Sequence, residues 1–250
     1  MKPATSRLWE VDSLRGVAVV LMAFFHLMWD LQYFGLSHVD VFAPSWQTFA
    51  RGIGSTFIFL MGLSLTLDAA CNTTDSRGLF MRHLKRGMTI FGFGLAVTVA
   101  TYLIVGDEFV RFGILHQMGV AIILAFFFVR TPIWLNLGVS ALIIALGIWV
   151  SQIPVTTALL LPFGLVPRGM SMVDYYPLIP WFCVVLVGIS VGQWLYPTGQ
   201  RRFKLPDLGS ALPVHVLCWL GRHSLAVYLL HQPVLIAIVF SVAFLMNKTR

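Results

Sequence analysis

Long apolar blocks alternate with short polar breaks along this chain. Seven blocks reach about the length needed to cross a bilayer as helices, near residues 15–35, 52–70, 86–105, 112–129, 132–150, 177–196 and 224–246. A further apolar stretch, 153–166, is short and bracketed by Pro154 and Pro167, which predicts a re-entrant or interfacial segment. The stretch 208–221 reads as a second such segment lying along the surface. No internal repeat is visible, and the breaks are too short to hold a soluble domain. The pattern predicts an all-α, polytopic integral membrane helix bundle of about seven transmembrane helices, with residues 1–250 as a single domain.

The first block breaks its own pattern. VDSLRGVAVVLMAFFHLMWDLQYFG carries Arg15 and His26 inside an apolar run. Eleven residues is close to three helical turns, so both fall on one stripe roughly 16 Å apart along the axis. Asp12, Asp30 and Tyr33 lie within about 60° of that stripe at ~100° per residue. Ionisable groups inside a membrane are costly, and they mark functional sites by default. This stripe is therefore expected to face a protein interior or a wet cavity.

Composition agrees with the pattern. The chain is 58% hydrophobic and 11% charged, where a soluble domain carries about 25% charged residues. With the N-terminus inside, only Arg51, Arg111, Arg168, Lys248 and Arg250 of the 17 Lys and Arg fall on the outer side. The positive-inside rule then predicts a cytoplasmic N-terminus and an outer C-terminus. The net charge of +7 needs no nucleic-acid partner, because basic inner loops face anionic lipid. The cluster Arg82, Lys85 and Arg86 could also meet an anionic cofactor. The first apolar run is too long for a cleavable signal peptide, and Glu10 and Asp12 precede it. Cys71, Cys183 and Cys218 show no pairing or metal spacing. Asn72-Thr73-Thr74 matches a glycosylation acceptor but falls on the predicted inner side.

Within the first block, Asp30 stands four residues after His26, where the two side chains can touch. A carboxylate beside a histidine fixes its tautomer and stabilises its protonated form. That arrangement suits a general base acting on a hydroxyl or an amine. A structural hydrogen bond between helices is the plainer alternative. Arg15 can grip a phosphate or carboxylate in a fork, or be held by Asp12 three residues earlier. His116, in RFGILHQMG, and His231, in GRHSLAVYLLHQP, could line a shared cavity with His26, or serve as packing contacts through polar partners. His223 sits at the inner start of the last span. No ligand spacing points to a metal. Asp174 opens DYYPLIPWF, where a carboxylate beside aromatics suits a sugar. Tyr175, Tyr176 and Trp181 equally suit an interfacial aromatic belt. Gly54 and Gly62 read as close-packing positions.

RLWEVDSLRGVAVVLMAFFHLMWDLQYFG, RFGILHQMGVA, DYYPLIPWF and LGRHSLAVYLLHQPVLI together resemble the bacterial relatives of the heparan-alpha-glucosaminide N-acetyltransferase catalytic domain, in the order expected of that family. The Arg-to-His spacing also resembles the broader transmembrane acyltransferase superfamily, which takes acyl groups from cytoplasmic acyl-CoA to sugars facing the other compartment. The resemblance implies a transmembrane acyl-CoA-dependent acyltransferase of the bacterial inner membrane, using acetyl-CoA or another acyl-CoA as co-substrate and no metal. It maps Arg15 and His26 onto the superfamily's pair, and Asp30 onto the acidic position of the bacterial branch. His26 and Asp30 are the expected catalytic residues. Arg15, Arg82, Lys85 and Arg86 are expected on the phosphates, and Asp12, Tyr33, His116, Asp174 and His231 around the acceptor. Heparan as substrate does not carry over, since this chain lacks the animal enzyme's luminal region; an envelope glycan or glycolipid is the expected acceptor. A proton-coupled transporter and a non-catalytic scaffold are the alternatives. Oligomeric state is open, a homo-oligomer among the options.

Overall fold

The computed structural model describes residues 8–71 and 75–248. The glycosylation-like Asn72 and the basic Lys2, Arg7 and Arg250 lie outside the described residues. Among the described residues eight α-helices follow one another: α1 (Trp9–Tyr33), α2 (Pro44–Cys71), α3 (Ser76–Val105), α4 (Ile114–Ala125), α5 (Ile133–Val150), α6 (Leu178–Leu195), α7 (Leu212–Arg222) and α8 (Ser224–Lys248). No strand occurs among the described residues. Six helices among the described residues are long and apolar enough to cross a membrane, namely α1, α2, α3, α5, α6 and α8. The fourth predicted span is shorter than expected. Its helix has 12 residues, about 18 Å at 1.5 Å per residue, against a hydrocarbon core of about 30 Å. Beyond Ala125 the chain runs on in turns rather than helix.

The chain divides into two compact units, residues 1–57 with 205–250, and residues 58–204. In the first unit α1 packs on α7 and α8. Glu10 and Asp12 occupy the first turn of α1, where negative charge suits the helix dipole. A Cβ added to Gly16 would strike the Leu217 carbonyl, and one added to Gly221 would strike the Asp12 carbonyl. These two glycines let the backbones of α1 and α7 touch. The Cys218 thiol also reaches the Trp9 carbonyl at 3.3 Å. The stretch 208–221, expected along the surface, thus has one face docked on α1, while Leu212, Val216 and Trp219 stay exposed. Pro233 interrupts α8 and removes the amide that would bond the Leu229 carbonyl, a break that membrane helices tolerate when neighbours supply polar partners.

In the second unit α3 packs on α4, and α6 packs on α5 and α4. The later half of α2 meets α6 through Gly62 and Gly188, each lying against a backbone carbonyl of the other helix. This is the close approach expected of Gly62. The turns after α4 are held by side chains from other elements. Gln193 donates to the carbonyls of Val129 (3.1 Å) and Thr131 (2.8 Å). Asn136 accepts from the Thr131 hydroxyl (2.7 Å) and donates to the Phe128 carbonyl (3.3 Å). Non-helical backbone at membrane depth persists only with such partners. The predicted re-entrant stretch 153–166 contains a short 3-10 helix, Ala158–Phe163, with Pro162 inside it.

Gly221→Leu should separate α7 from α1. Overpacking of this kind costs about 1–3 kcal/mol, so a clear drop in thermal midpoint in detergent is expected, measured by tryptophan fluorescence.

Candidate active site

The polar stripe of α1 meets two different helices. At its start, Asp12 is buried and held between two guanidiniums: Arg15 Nη1 lies 3.2 Å from Oδ1, and Arg222 Nε of α7 lies 3.1 Å from Oδ2. The first of these pairs was one of the two readings open for Arg15. Arg222 was read from the sequence only as an inner-side charge. Two cations thus meet on one carboxylate at the head of α1, with Glu10 in the same turn.

Three turns further on, α8 replaces α7. His26 Nδ1 lies 2.9 Å from the Met22 carbonyl and 3.2 Å from His231 Nε2, with the two rings 4.7 Å apart at centroid and set edge to face. His231 Nδ1 lies 2.7 Å from the Tyr228 carbonyl. A carbonyl oxygen only accepts, so each neutral ring carries its hydrogen on Nδ1. His231 Nε2 then holds a lone pair, and the His26 Nδ1–H is shared between that lone pair and the Met22 carbonyl. Three-centre sharing of this kind is common near helix turns. His26 Nε2 keeps its own lone pair and makes no hydrogen bond among the described residues. Phe25 stands edge-on to the ring at 5.6 Å.

Asp30 does not orient His26. Its side chain is fully buried, and Oδ1 accepts from Gln232 Nε2 at 2.8 Å. Asp30 Oδ2 and Gln232 Oε1 have no hydrogen-bond partner among the described residues. The i,i+4 spacing does put His26 and Asp30 on one face, but consecutive residues of α8 divide them, His231 taking the first and Gln232 the second. Tyr33 is not brought to this cluster. It is 71% exposed and stacks on Trp29 at 5.3 Å, the place of an amphipathic ring at a helix end. His223, the C-cap of α7, is exposed, and its Nδ1 lies 2.8 Å from the Trp219 carbonyl of that helix.

His116 belongs to the second unit, and its ring is spent on structure. Nδ1 accepts from the Gly113 amide (3.3 Å), and Nε2 meets the Thr98 hydroxyl (3.3 Å), which donates onward to the Val110 carbonyl (2.7 Å). The ring thus helps cap α4 and pin the 109–113 loop to α3, which leaves no nitrogen for an acceptor. Asp174 works at the same helix start. Its Oδ2 accepts from the Ile114 amide at 3.0 Å, which suits a carboxylate at a helix N-terminus. Burial raises the Asp174 carboxyl to about 6, opposed in part by that amide bond. The Tyr175 hydroxyl donates to the Leu161 carbonyl at 2.8 Å, and burial pushes it up to about 12. Tyr176 lies 4.6 Å from Trp181. A cavity of about 400 Å³ opens beside this loop, lined by Arg111, Arg168, Asp107 and Glu108 among others.

The basic group of α3 is also in the second unit. Arg82 Nε stands 3.8 Å from Asp68 Oδ2, yet Nε and Nη2 find no hydrogen-bond partner among the described residues. Lys85 and Arg86 are exposed. Beside them His83 is 1% exposed with both ring nitrogens unpartnered, a residue the sequence pattern did not single out because it sits among stronger charges. Gln232 was missed for a similar reason: a neutral amide next to a histidine gives no signal of its own. No group of residues that could hold a metal ion occurs among the described residues.

The family model described as heparan-alpha-glucosaminide N-acetyltransferase, catalytic, matches residues 7–233. The chain belongs to that family. Membership points to a membrane acetyltransferase-like function, and the matched stretch runs through both units. No curated protein matches the chain.

Asp174→Ala removes a cap and should lower stability by about 1 kcal/mol, with Asp174→Asn milder. A raised carboxyl pKa means that the folded protein holds this proton more tightly than an unfolded chain. Its contribution is therefore greatest below the ordinary carboxylate value of 3.8 and falls as pH rises through about 6. The thermal midpoint of wild type relative to Asp174→Asn should accordingly decline across that window.

Proposed function

We propose that the chain is a membrane-embedded acyltransferase of the bacterial inner membrane, acting as one domain over residues 1–250 with its N-terminus in the cytoplasm. It moves an acetyl group from cytoplasmic acetyl-CoA to a hydroxyl or amine on a sugar of an envelope glycan or glycolipid. The observation that carries this reading is the free Nε2 of His26, a ring nitrogen left with a lone pair because both partners sit on Nδ1. Family membership supplies the reaction class.

In this reading His26 Nε2 takes the proton of the acceptor hydroxyl or amine. The acceptor oxygen or nitrogen bonds to the acyl carbon, the carbon–sulfur bond breaks, and the thiolate leaves, receiving the proton from Nε2. Attack by Nε2 itself, through an acyl-histidine, is the variant path. Thioester transfer is favourable, so the protein's part is positioning and proton transfer. A positioned base contributes about 10²–10⁴-fold. Asp30, bound by Gln232, joins α1 to α8 and keeps His26 in place rather than bonding its ring.

Two basic groups are candidates for the donor's phosphates, one in each unit. Arg15 shares Asp12 with Arg222, so its fork is partly engaged. Arg82 is held by Asp68 at a longer 3.8 Å, and its Nε and Nη2 make no hydrogen bond among the described residues beside exposed Lys85 and Arg86; a loosely held guanidinium suits a phosphate better.

His26→Ala should lower acetyl-CoA-dependent turnover by about 10²-fold or more at normal expression; activity within a few-fold of wild type would remove the mechanism. Acetyl-CoA binding by purified protein in nanodiscs should weaken in Arg15→Ala, in Arg82→Ala, or in both, and the stronger loss identifies the phosphate site. No binding across acyl-CoA chain lengths, with folded protein, would favour a transporter or a scaffold.

A further inference from the structure

The residues that surround His26 leave one unassigned partner. Its Nδ1 contacts a backbone carbonyl of its own helix and a second histidine on another helix. The carboxylate expected in that place is taken up by Gln232. His231 is therefore the one side chain hydrogen-bonded to His26 among the described residues.

We infer that His231 is the positioning residue of the reaction: its Nε2 lone pair accepts the Nδ1–H of His26, so that a neutral histidine does what a carboxylate was expected to do. This deepens the proposed acyl transfer and rests on it. The geometry behind the assignment is specific. The Tyr228 carbonyl, 2.7 Å from His231 Nδ1, demands a hydrogen on that nitrogen. A neutral ring so held turns an acceptor toward His26. Were the tautomer reversed, two N–H groups would face each other at 3.2 Å, or the Tyr228 carbonyl would lose its donor. Two links in a row, from the His26 ring to the His231 ring and from there to the Tyr228 carbonyl, thus share one direction of donation.

The consequence appears when His26 takes a proton on Nε2 as the acceptor bond forms. The imidazolium then carries hydrogens on both nitrogens. Its Nδ1–H strengthens as a donor toward His231 Nε2 and the Met22 carbonyl, as charge-assisted bonds do. No proton need leave the pair. The one on Nε2 goes to the departing thiolate, and the starting tautomers return. A neutral acceptor stabilises the imidazolium less than a carboxylate would, and so makes it a readier acid toward the leaving group. Pro233, two residues after His231, removes a helix amide at this turn, so this stretch of α8 is held by its side-chain contacts to α1 as much as by its own ladder.

The test has two arms. In the first, wild-type protein labelled with ¹⁵N-histidine in nanodiscs is read by NMR, with His26→Ala and His231→Gln used for assignment. Nδ1–H tautomers for both rings, and a coupling across the hydrogen bond between His26 Nδ1 and His231 Nε2, are expected. An Nε2–H tautomer at His231, or absence of the coupling, overturns the inference whatever the protein's activity. In the second arm, His231→Gln offers an amide oxygen near the position of Nε2, and His231→Phe keeps a ring without an acceptor. Turnover should fall by about 10²-fold in the Phe variant and by less than about tenfold in the Gln variant, since only the latter accepts from Nδ1–H. Equal losses in both, with folded protein, would mean that the histidine fills space and nothing more. If wild type transfers no acyl group at all, the proposed function fails, and the first arm still decides the pairing.

Discussion

Polar groups carried into lipid have no water to bond, so each must find its partner on another part of the protein. The first unit is organised around that requirement. Beyond Glu10 in its first turn, α1 brings the carboxylates of Asp12 and Asp30, an arginine and a histidine into an apolar helix. Three of them bond a side chain of α7 or α8: Asp12 meets Arg222, with Arg15 of its own helix on its other oxygen, His26 meets His231, and Asp30 meets Gln232. Backbone contact at Gly16 and Gly221 sets α7 close enough for the first of these groups. The last two residues of the pattern are adjacent in α8, so one short stretch of that helix serves a full turn of α1.

The second unit meets the same requirement by different means. There the exposed need is backbone rather than side chain. α4 stops well short of a membrane's thickness, and the turns that follow are held by Gln193 and Asn136. At the other end of α4, His116 accepts from the amide of Gly113, the residue before the helix, and Asp174 from that of Ile114, its first residue. Two residues that looked like substrate contacts are thereby accounted for as caps. A histidine with both nitrogens engaged has little to offer an acceptor, whereas His26, with one nitrogen engaged twice and the other free, has a base to offer. The difference between them is one of bonding inventory and not of residue type.

That contrast also explains why burial alone is a poor guide to chemistry here. Asp30, His83, His116 and Gln117 are among the most buried polar residues of the chain. Only the pattern of satisfied and unsatisfied atoms separates them. Arg82 Nε and Nη2 make no hydrogen bond among the described residues, with Asp68 3.8 Å from Nε. Arg15 is held more closely, at 3.2 Å from Asp12.

Much of the fold was legible in the sequence, because hydrophobic length and helical period are local properties. The apolar blocks became helices, the short fourth block being the exception that its 12 helical residues reveal. The stripe on α1 was legible too, since an eleven-residue spacing fixes a shared face wherever the helix is placed, and so was the family, through motifs spread over nearly the whole chain. What covers that face was not. An i,i+4 spacing shows that Asp30 could reach His26. It cannot show that Gln232 arrives from about 200 residues away in sequence to claim the carboxylate, as a side chain on α8 takes a place that the periodicity of α1 leaves open. Helical period belongs to one segment and is written in its residues; partner choice depends on how two segments dock, and only the tertiary structure decides that.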